Sequence, residues 1–175
     1  KAHTLHNMAQ ALFIRPQDIK RFTAANGNID DDRFIQYLFI AQEIHIQRFL
    51  GSDLTESIEA KINASSLTGN YLTLVQEYVK PALCHWAMVE ALPFLAINIG
   101  QNGIFRGSSE NGTPATKDEV DFLVEKERQT AQYFSNRLID FLRDNAPEMF
   151  PEYYTNTGNR DISPDDDADF VGIVL

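Results

Sequence analysis

The side chains able to do chemistry in this sequence are few, and their spacing works against them. The histidines are His3, His6, His45 and His85, and the single thiol is Cys84. His45 follows Glu43 by two positions, and helical residues two apart do not face each other. Cys84-His85-Trp86 sets a thiol beside a base, but adjacent helical positions diverge by about 100°. A buried thiol and a packed Trp are therefore expected there. His3 and His6 belong to a chain end that should fray, where no metal site is expected. Asp165-Asp166-Asp167-Ala168-Asp169 matches a calcium loop only in composition, lacking the central Gly and the closing Glu, and reads as a solvated acidic tether. There is no Gly-rich loop ending in Gly-Lys-Ser/Thr, no His-Glu-x-x-His, no Gly-x-Ser-x-Gly and no Glu-x-x-His pair. The expectation is a chain with no catalytic residue, no metal and no cofactor. A hydrolase assembled from isolated carboxylates stays open against it.

Composition narrows the partners. With 25 acidic and 15 basic residues the formal net charge is −10, so binding nucleic acid through charge is not expected. One cysteine rules out an internal disulfide and a Cys-based zinc site. Hydrophobic residues at 43% and charged residues at 23% are globular values for a length of 175, which suits one domain with a tail. Lys1–Ala11 contains no apolar run of the secretory kind, and the start at Lys1 is read as lying inside the encoded chain. The most apolar stretch, Ala82–Ile99, is interrupted by His85, Glu90 and Pro93 and is not read as a membrane span. A cytosolic pool is the expected starting point.

The elements are set by breakers and caps. Pro16 suits the first position of a helix carrying Ile19 and Phe22, and Asn26-Gly27-Asn28 ends that pattern. Asp30-Asp31-Asp32 opens a second helix that should stop at Gly51. Asp53 and Glu56 have capping-box spacing for a shorter helix to about Ala64. A further helix from Asn70-Tyr71 holds Pro81, which should kink or divide it, and Pro93, a second disturbance. Alternating Leu95, Ile97 and Ile99 before Gly100-Gln101-Asn102-Gly103 predict a β-hairpin, with a helix continued to Ile99 as the rival. Thr116 and Glu119 cap a long helix ending near Asn145, roughly 43 Å in length. Its stripe of Val120, Leu123, Val124, Ala131, Phe134, Leu138, Phe141 and Leu142 should face one core.

The helix over 30–50 is the unusual one. At 100° per residue, Phe34, Ile35, Tyr37, Leu38, Phe39, Ala41, Ile44, Ile46, Phe49 and Leu50 cover an arc of roughly 240°, where a stripe of little more than 100° serves a surface helix. Phe34, Leu38 and Ala41 can face the chain's own core. Ile35, Phe39, Ile46 and Leu50 then point to a subunit interface, against the alternative of a central helix wrapped by its own chain.

Several weak matches in a fixed order carry a resemblance. Leu12-Phe13-Ile14, Asp18-Ile19-Lys20, Ile29-Asp30-Asp31-Asp32, Phe34-Ile35, Ala41, Ile44 and Phe49-Leu50-Gly51 are followed by Tyr78-Val79-Lys80-Pro81-Ala82-Leu83, Trp86, Leu92-Pro93 and Phe150-Pro151-Glu152-Tyr153. Over residues 12–154 the chain resembles the head–tail connector (adaptor) proteins of tailed double-stranded DNA bacteriophages. The source it suggests is a neck ring protein of a crAss-like phage. The resemblance implies a mainly α fold and a homo-oligomeric ring, usually a dodecamer, placed between the portal protein and the tail or other neck proteins. Genome DNA would pass through without specific binding, no membrane would be involved, and assembly in the host cytoplasm would end in the virion. It transfers no catalytic residue. The hairpin and the tail beyond Tyr154 depart from compact members. A helical, oligomeric protein-binding module without catalysis is the alternative.

The expected organisation is an N-terminal extension over 1–11, a bundle of four to five helices over 12–154 with a hairpin insertion at 95–115, and an acidic tether and docking arm over 155–175. Phe105 and Arg106 on the hairpin are the expected contacts to an adjacent ring. The arm, Phe170, Val171, Ile173, Val174 and Leu175, should add to a sheet edge on another chain, at the end of a fifteen-residue tether reaching up to about 50 Å.

Overall fold

The computed structural model describes residues 10–25, 29–100, 103–106, 114–155 and 162–165. The chain is mainly helical: α1 (Pro16–Phe22), α2 (Asp32–Ala41), a π turn (Gln42–Ile46), α3 (Gln47–Asn63), α4 (Gly69–Thr73), a second π turn (Leu74–Val79), α5 (Lys80–Leu95) and α6 (Lys117–Met149). Between α5 and α6, β1 (Ile97–Gly100) pairs antiparallel with β2 (Gly103–Arg106), Ile97 opposite Arg106 and Gly100 opposite Gly103.

The centre of the bundle is α5. Every residue from Pro81 to Val89 is buried, because α1, α2 and α6 all pack on it. A helix apolar on all sides is stable in water only when wrapped in this way. The polar residues that interrupt its apolar run each have a partner on another element: His85 Nδ1 lies 2.6 Å from Glu127 of α6, and Glu90 lies 2.8 Å from His45 Nε2. The Trp86 indole N–H donates to Ser135 Oγ at 2.9 Å. Cys84 is fully buried, and burial pushes its thiol up. Pro81 does not divide the helix. The π turn before it lets α4 run on into α5 without an intervening loop.

The same device corrects the interface expectation. The π turn at Gln42–Ile46 inserts one residue into the helical count, which rotates everything after it by about 100°. Ile46, Phe49 and Leu50 swing back onto the face of Phe34, Tyr37, Leu38 and Ala41, and all seven are buried. These seven residues then span about 120°, an ordinary stripe, while Ile35 and Phe39, which precede the turn, stay outside it. Ile46 and Leu50, both at 0% exposure, belong to the chain's own core and offer nothing to a neighbour. Ile35 and Phe39 are half-buried, and the apolar residues that α2 and the π turn do expose are Ile40 and Ile44.

Thr116 and Glu119 form the predicted capping box: Glu119 N donates to Thr116 Oγ1 at 3.3 Å, and Thr116 N to Glu119 Oε2 at 2.8 Å. From there α6 runs 33 residues, about 50 Å, past Pro147 instead of ending near Asn145. Pro147 falls in the last turn, where a missing N–H costs a single ladder bond, and Phe150 N still reaches Ala146 O at 2.9 Å. The predicted stripe is best covered in its middle and end, with Val120 and Val124 near its start half-buried. Ala131, Leu138 and Leu142 are buried, while Leu123, near the start, is exposed together with Phe122.

The chain after α6 is tied down rather than free. Phe150 is fully buried, edge-on to Tyr71 with ring centres 5.2 Å apart. The Glu152 carboxylate accepts from Ser57 Oγ at 2.9 Å and Tyr71 Oη at 2.8 Å. Burial works to raise the Glu152 carboxyl, but its own backbone N–H, the two hydroxyls and Lys61 prevail and lower it. Burial, and then Glu152, push the Tyr71 phenol up to about 12. Thr155 Oγ1 then donates to Asp53 Oδ2 at 3.1 Å.

Candidate functional site

The region with most structure beyond plain packing lies where the C-terminal segment meets α3. Gly51 has φ 74° and ψ 164°, a conformation that essentially only glycine adopts, and it breaks the helix there. In an unbroken helix Ser52 N would donate to Arg48 O. Here Ser52 N donates to Ile162 O at 3.1 Å, and Arg48 O accepts from Asp165 N at 2.8 Å. The tail thus supplies the partners that the break took away. Pro164 packs so closely on Gly51 that an added Cβ would come within 2.7 Å of its ring. An Arg48–Asp165 ion pair at 2.5 Å closes the contact.

The tether expectation is corrected accordingly. Ile162–Asp165 is a docked strap, since its backbone finds partners that water would otherwise provide. The arm residues Phe170, Val171, Ile173, Val174 and Leu175 lie outside the described residues. Phe105 and Arg106 are in β2, opposite Asn98 and Ile97, and their side chains also lie outside what is described.

Beside the strap is a groove enclosing a cavity of about 210 Å³ between the first π turn, α5 and α6, lined among others by Ile44, His45, Arg48, Arg128 and Asn136. His45 stacks flat on Trp86, ring centres 3.9 Å apart. Burial lowers the His45 pKa, the Glu90 carboxylate opposes that, and Arg48 and Arg128 add to the lowering. Both guanidinium groups at this cavity are already in ion pairs, Arg48 with Asp165 at 2.5 Å and Arg128 with Glu125 at 3.5 Å. A second, apolar cleft of about 360 Å³ lies among Ala24, Ile29, Leu92, Leu95, Val120 and Leu123.

Sequence reasoning did not single out Arg48, Arg128 or Gln42. Gln42 is fully buried in the π turn and holds the incoming chain by accepting from Phe13 N at 3.0 Å and donating to Ala11 O at 2.9 Å. An amide directly after the apolar run Phe39-Ile40-Ala41 was the signal that could have pointed to it.

A carboxylate cluster adjoins this anchor. Glu59 accepts a long hydrogen bond from Gln42 at 3.4 Å. Burial first, then Glu43 and Glu56, raise its pKa to about 7 from 4.5. The fold therefore favours the protonated form: that contribution is fully present below about pH 4.5 and lost as pH rises through 7. Glu59→Gln should stabilise the chain by about 1–2 kcal/mol at pH 8, after discounting for water around a half-exposed side chain, and by almost nothing at pH 4.5. Thermal melts at the two pH values test this, and an equal gain at both would contradict it.

This combination of features defines a mainly helical domain with a C-terminal strap. Among its described residues no group of three His, Cys, Asp or Glu could hold a metal, and no helix is long and apolar enough to cross a membrane. The chain belongs to the family described as a family of unknown function, DUF6712, whose pattern matches residues 46–163. That span runs from the end of the first π turn into the strap, so it takes in both Gly51 and Ile162. No curated protein and no solved structure matches the chain.

Proposed function

We propose that this protein is a structural subunit without catalytic activity, of the head–tail connector type, that works as a homo-oligomeric ring between a portal protein and a tail or neck protein. The observation that carries this reading is the apolar surface left at the start of α6 and beside it. Phe122 is 61% exposed, with Leu123, the Phe94 ring at the end of α5 and Phe22 of α1 also open to water, and Tyr133, about three turns further along α6, is 62% exposed. The apolar cleft lies at the same end. Apolar surface gathered in this way is characteristic of protein contacts. Ile46 and Leu50 take no part in the interface; Ile35 and Phe39, half-buried on α2, can still contribute to it. The hairpin comes directly after α5, and its Phe105 and Arg106 are the proposed contacts to the next ring. The acidic balance suits a channel along which a duplex slides without sticking.

The test is the mass of the full chain in solution, alone and with a portal protein of the same source, by light scattering and electron microscopy. Closed rings of many copies, with Phe122→Asp/Leu123→Asp shifting them to folded monomers, are expected. A chain that stays monomeric at high concentration and with the portal present would overturn the proposal. A small oligomer that captures a different protein would favour the helical binding module.

A further inference from the structure

An open groove of about 670 Å³ lies between α1 with the chain leading into it, the end of α3 and the second π turn. Leu12, Ile62 and Leu67 give it half-buried apolar walls, and Arg15, Arg21 and Lys80 carry its positive charge. Asp18 is the carboxylate in its lining, and it is already engaged, by Lys80 Nζ at 3.4 Å and Arg15 N at 3.0 Å. Arg15 and Arg21 are exposed, and among the described residues neither guanidinium is in an ion pair. In a chain of net charge −10, a groove with two uncovered arginines calls for an acidic occupant.

The same chain displays one. Asp144 and Glu148 are exposed one turn apart near the end of α6, and among the described residues no ion pair covers either. Arg143, their neighbour in sequence, reaches Asp140 at 3.5 Å. Like charges at i and i+4 repel, and carboxylates oppose the negative end of the helix dipole. No basic residue occupies the last turn of α6 to offset them. A helix end that breaks both rules with no compensation inside the chain points to a contact outside it.

We propose that the Arg15–Arg21 groove receives the end of α6 from a second copy of this chain, with Asp144 and Glu148 meeting the two arginines. Pro147, exposed between the carboxylates, suits the apolar walls at Leu12 and Leu67. The two carboxylates stand about 6 Å apart and the two arginines about 9 Å apart along α1, a difference that long arginine side chains absorb. A foreign acidic partner would cover the arginines and leave the α6 carboxylates bare, whereas a second copy brings both halves of the contact. Two different surfaces meet, so each copy keeps a groove or an α6 end for the next, as a closed ring requires. The inference deepens the self-assembly proposed above and rests on it.

Charge reversal on the full chain, followed by sedimentation velocity at low and high salt, tests it. Arg15→Glu/Arg21→Glu and, separately, Asp144→Arg/Glu148→Arg should each raise the concentration at half-association by about tenfold or more. All four positions are exposed, so the helical signal should persist. The second variant should melt no lower than the parent, because cations suit that helix end. Mixed one to one, the two variants should associate to within about threefold of the parent, since every groove then meets an opposite charge. High salt should weaken the parent's association severalfold. Parent-like association of either variant alone would overturn the contact while leaving self-assembly in place. So would a mixture that stays apart as its components do. A parent that remains monomeric throughout would overturn the self-assembly reading and this contact with it.

Discussion

Ile46→Asp should abolish the folded state, whereas Ile44→Asp, two positions earlier, should leave it intact. Ile46 has no exposed surface and Ile44 is 58% exposed. A carboxylate at Ile46 would sit fully buried in the apolar core, one turn from Leu50, with no partner. It would either stay charged at prohibitive cost or take up a proton and still lose the packing of an isoleucine. A loss above about 5 kcal/mol is expected, comparable to the whole stability of a domain of this kind. Circular dichroism should show no cooperative melt for Ile46→Asp and a melt within about 3 °C of the parent for Ile44→Asp. Two similar melts would mean that the π turn does not set the phase of this helix in solution.

Gly51→Ala should produce the next largest effect, for two separable reasons. A side chain at φ 74° and ψ 164° is strained wherever it points, by about 1–3 kcal/mol. Its Cβ would also press on the Pro164 ring at 2.7 Å, an overpacking of about 1–3 kcal/mol. Together they should lower the melting temperature by roughly 5–15 °C for a chain of this length. In a Pro164→Gly background the second part disappears, so Gly51→Ala should cost about half as much there. The difference is the coupling between α3 and the strap. An unchanged cost in that background would place the strap away from Gly51.

Several elements were readable because they depend on neighbours in sequence. Pro16 at a helix start, the Thr116–Glu119 capping box and the mainly α class each rest on residues within a few positions of one another, where local sterics and hydrogen bonds decide. The alternation around Gly100 is equally local. The end of α6 was misjudged because a proline rule for helix interiors was applied to a last turn, where it costs less.

The sequence by itself determined where helices start and which residues are apolar enough to be buried. It also supplied the acidic tail and the glycine at position 51. Only the tertiary structure decided which way those pieces face. Two π turns reset the phase of the long helices, and the shift that the first leaves between Ala41 and Ile46 cannot be told in sequence from a second buried face. It is stabilised by packing from elements far along the chain. The wrapping of α5 is a sum of contacts with α1, α2 and α6 that no single stretch encodes. The strap rests on Ser52–Ile162 and Arg48–Asp165 pairings more than a hundred positions apart. A backbone donor and acceptor carry no residue identity, so a pairing of this kind becomes visible only when the chain has folded and brought the two segments together.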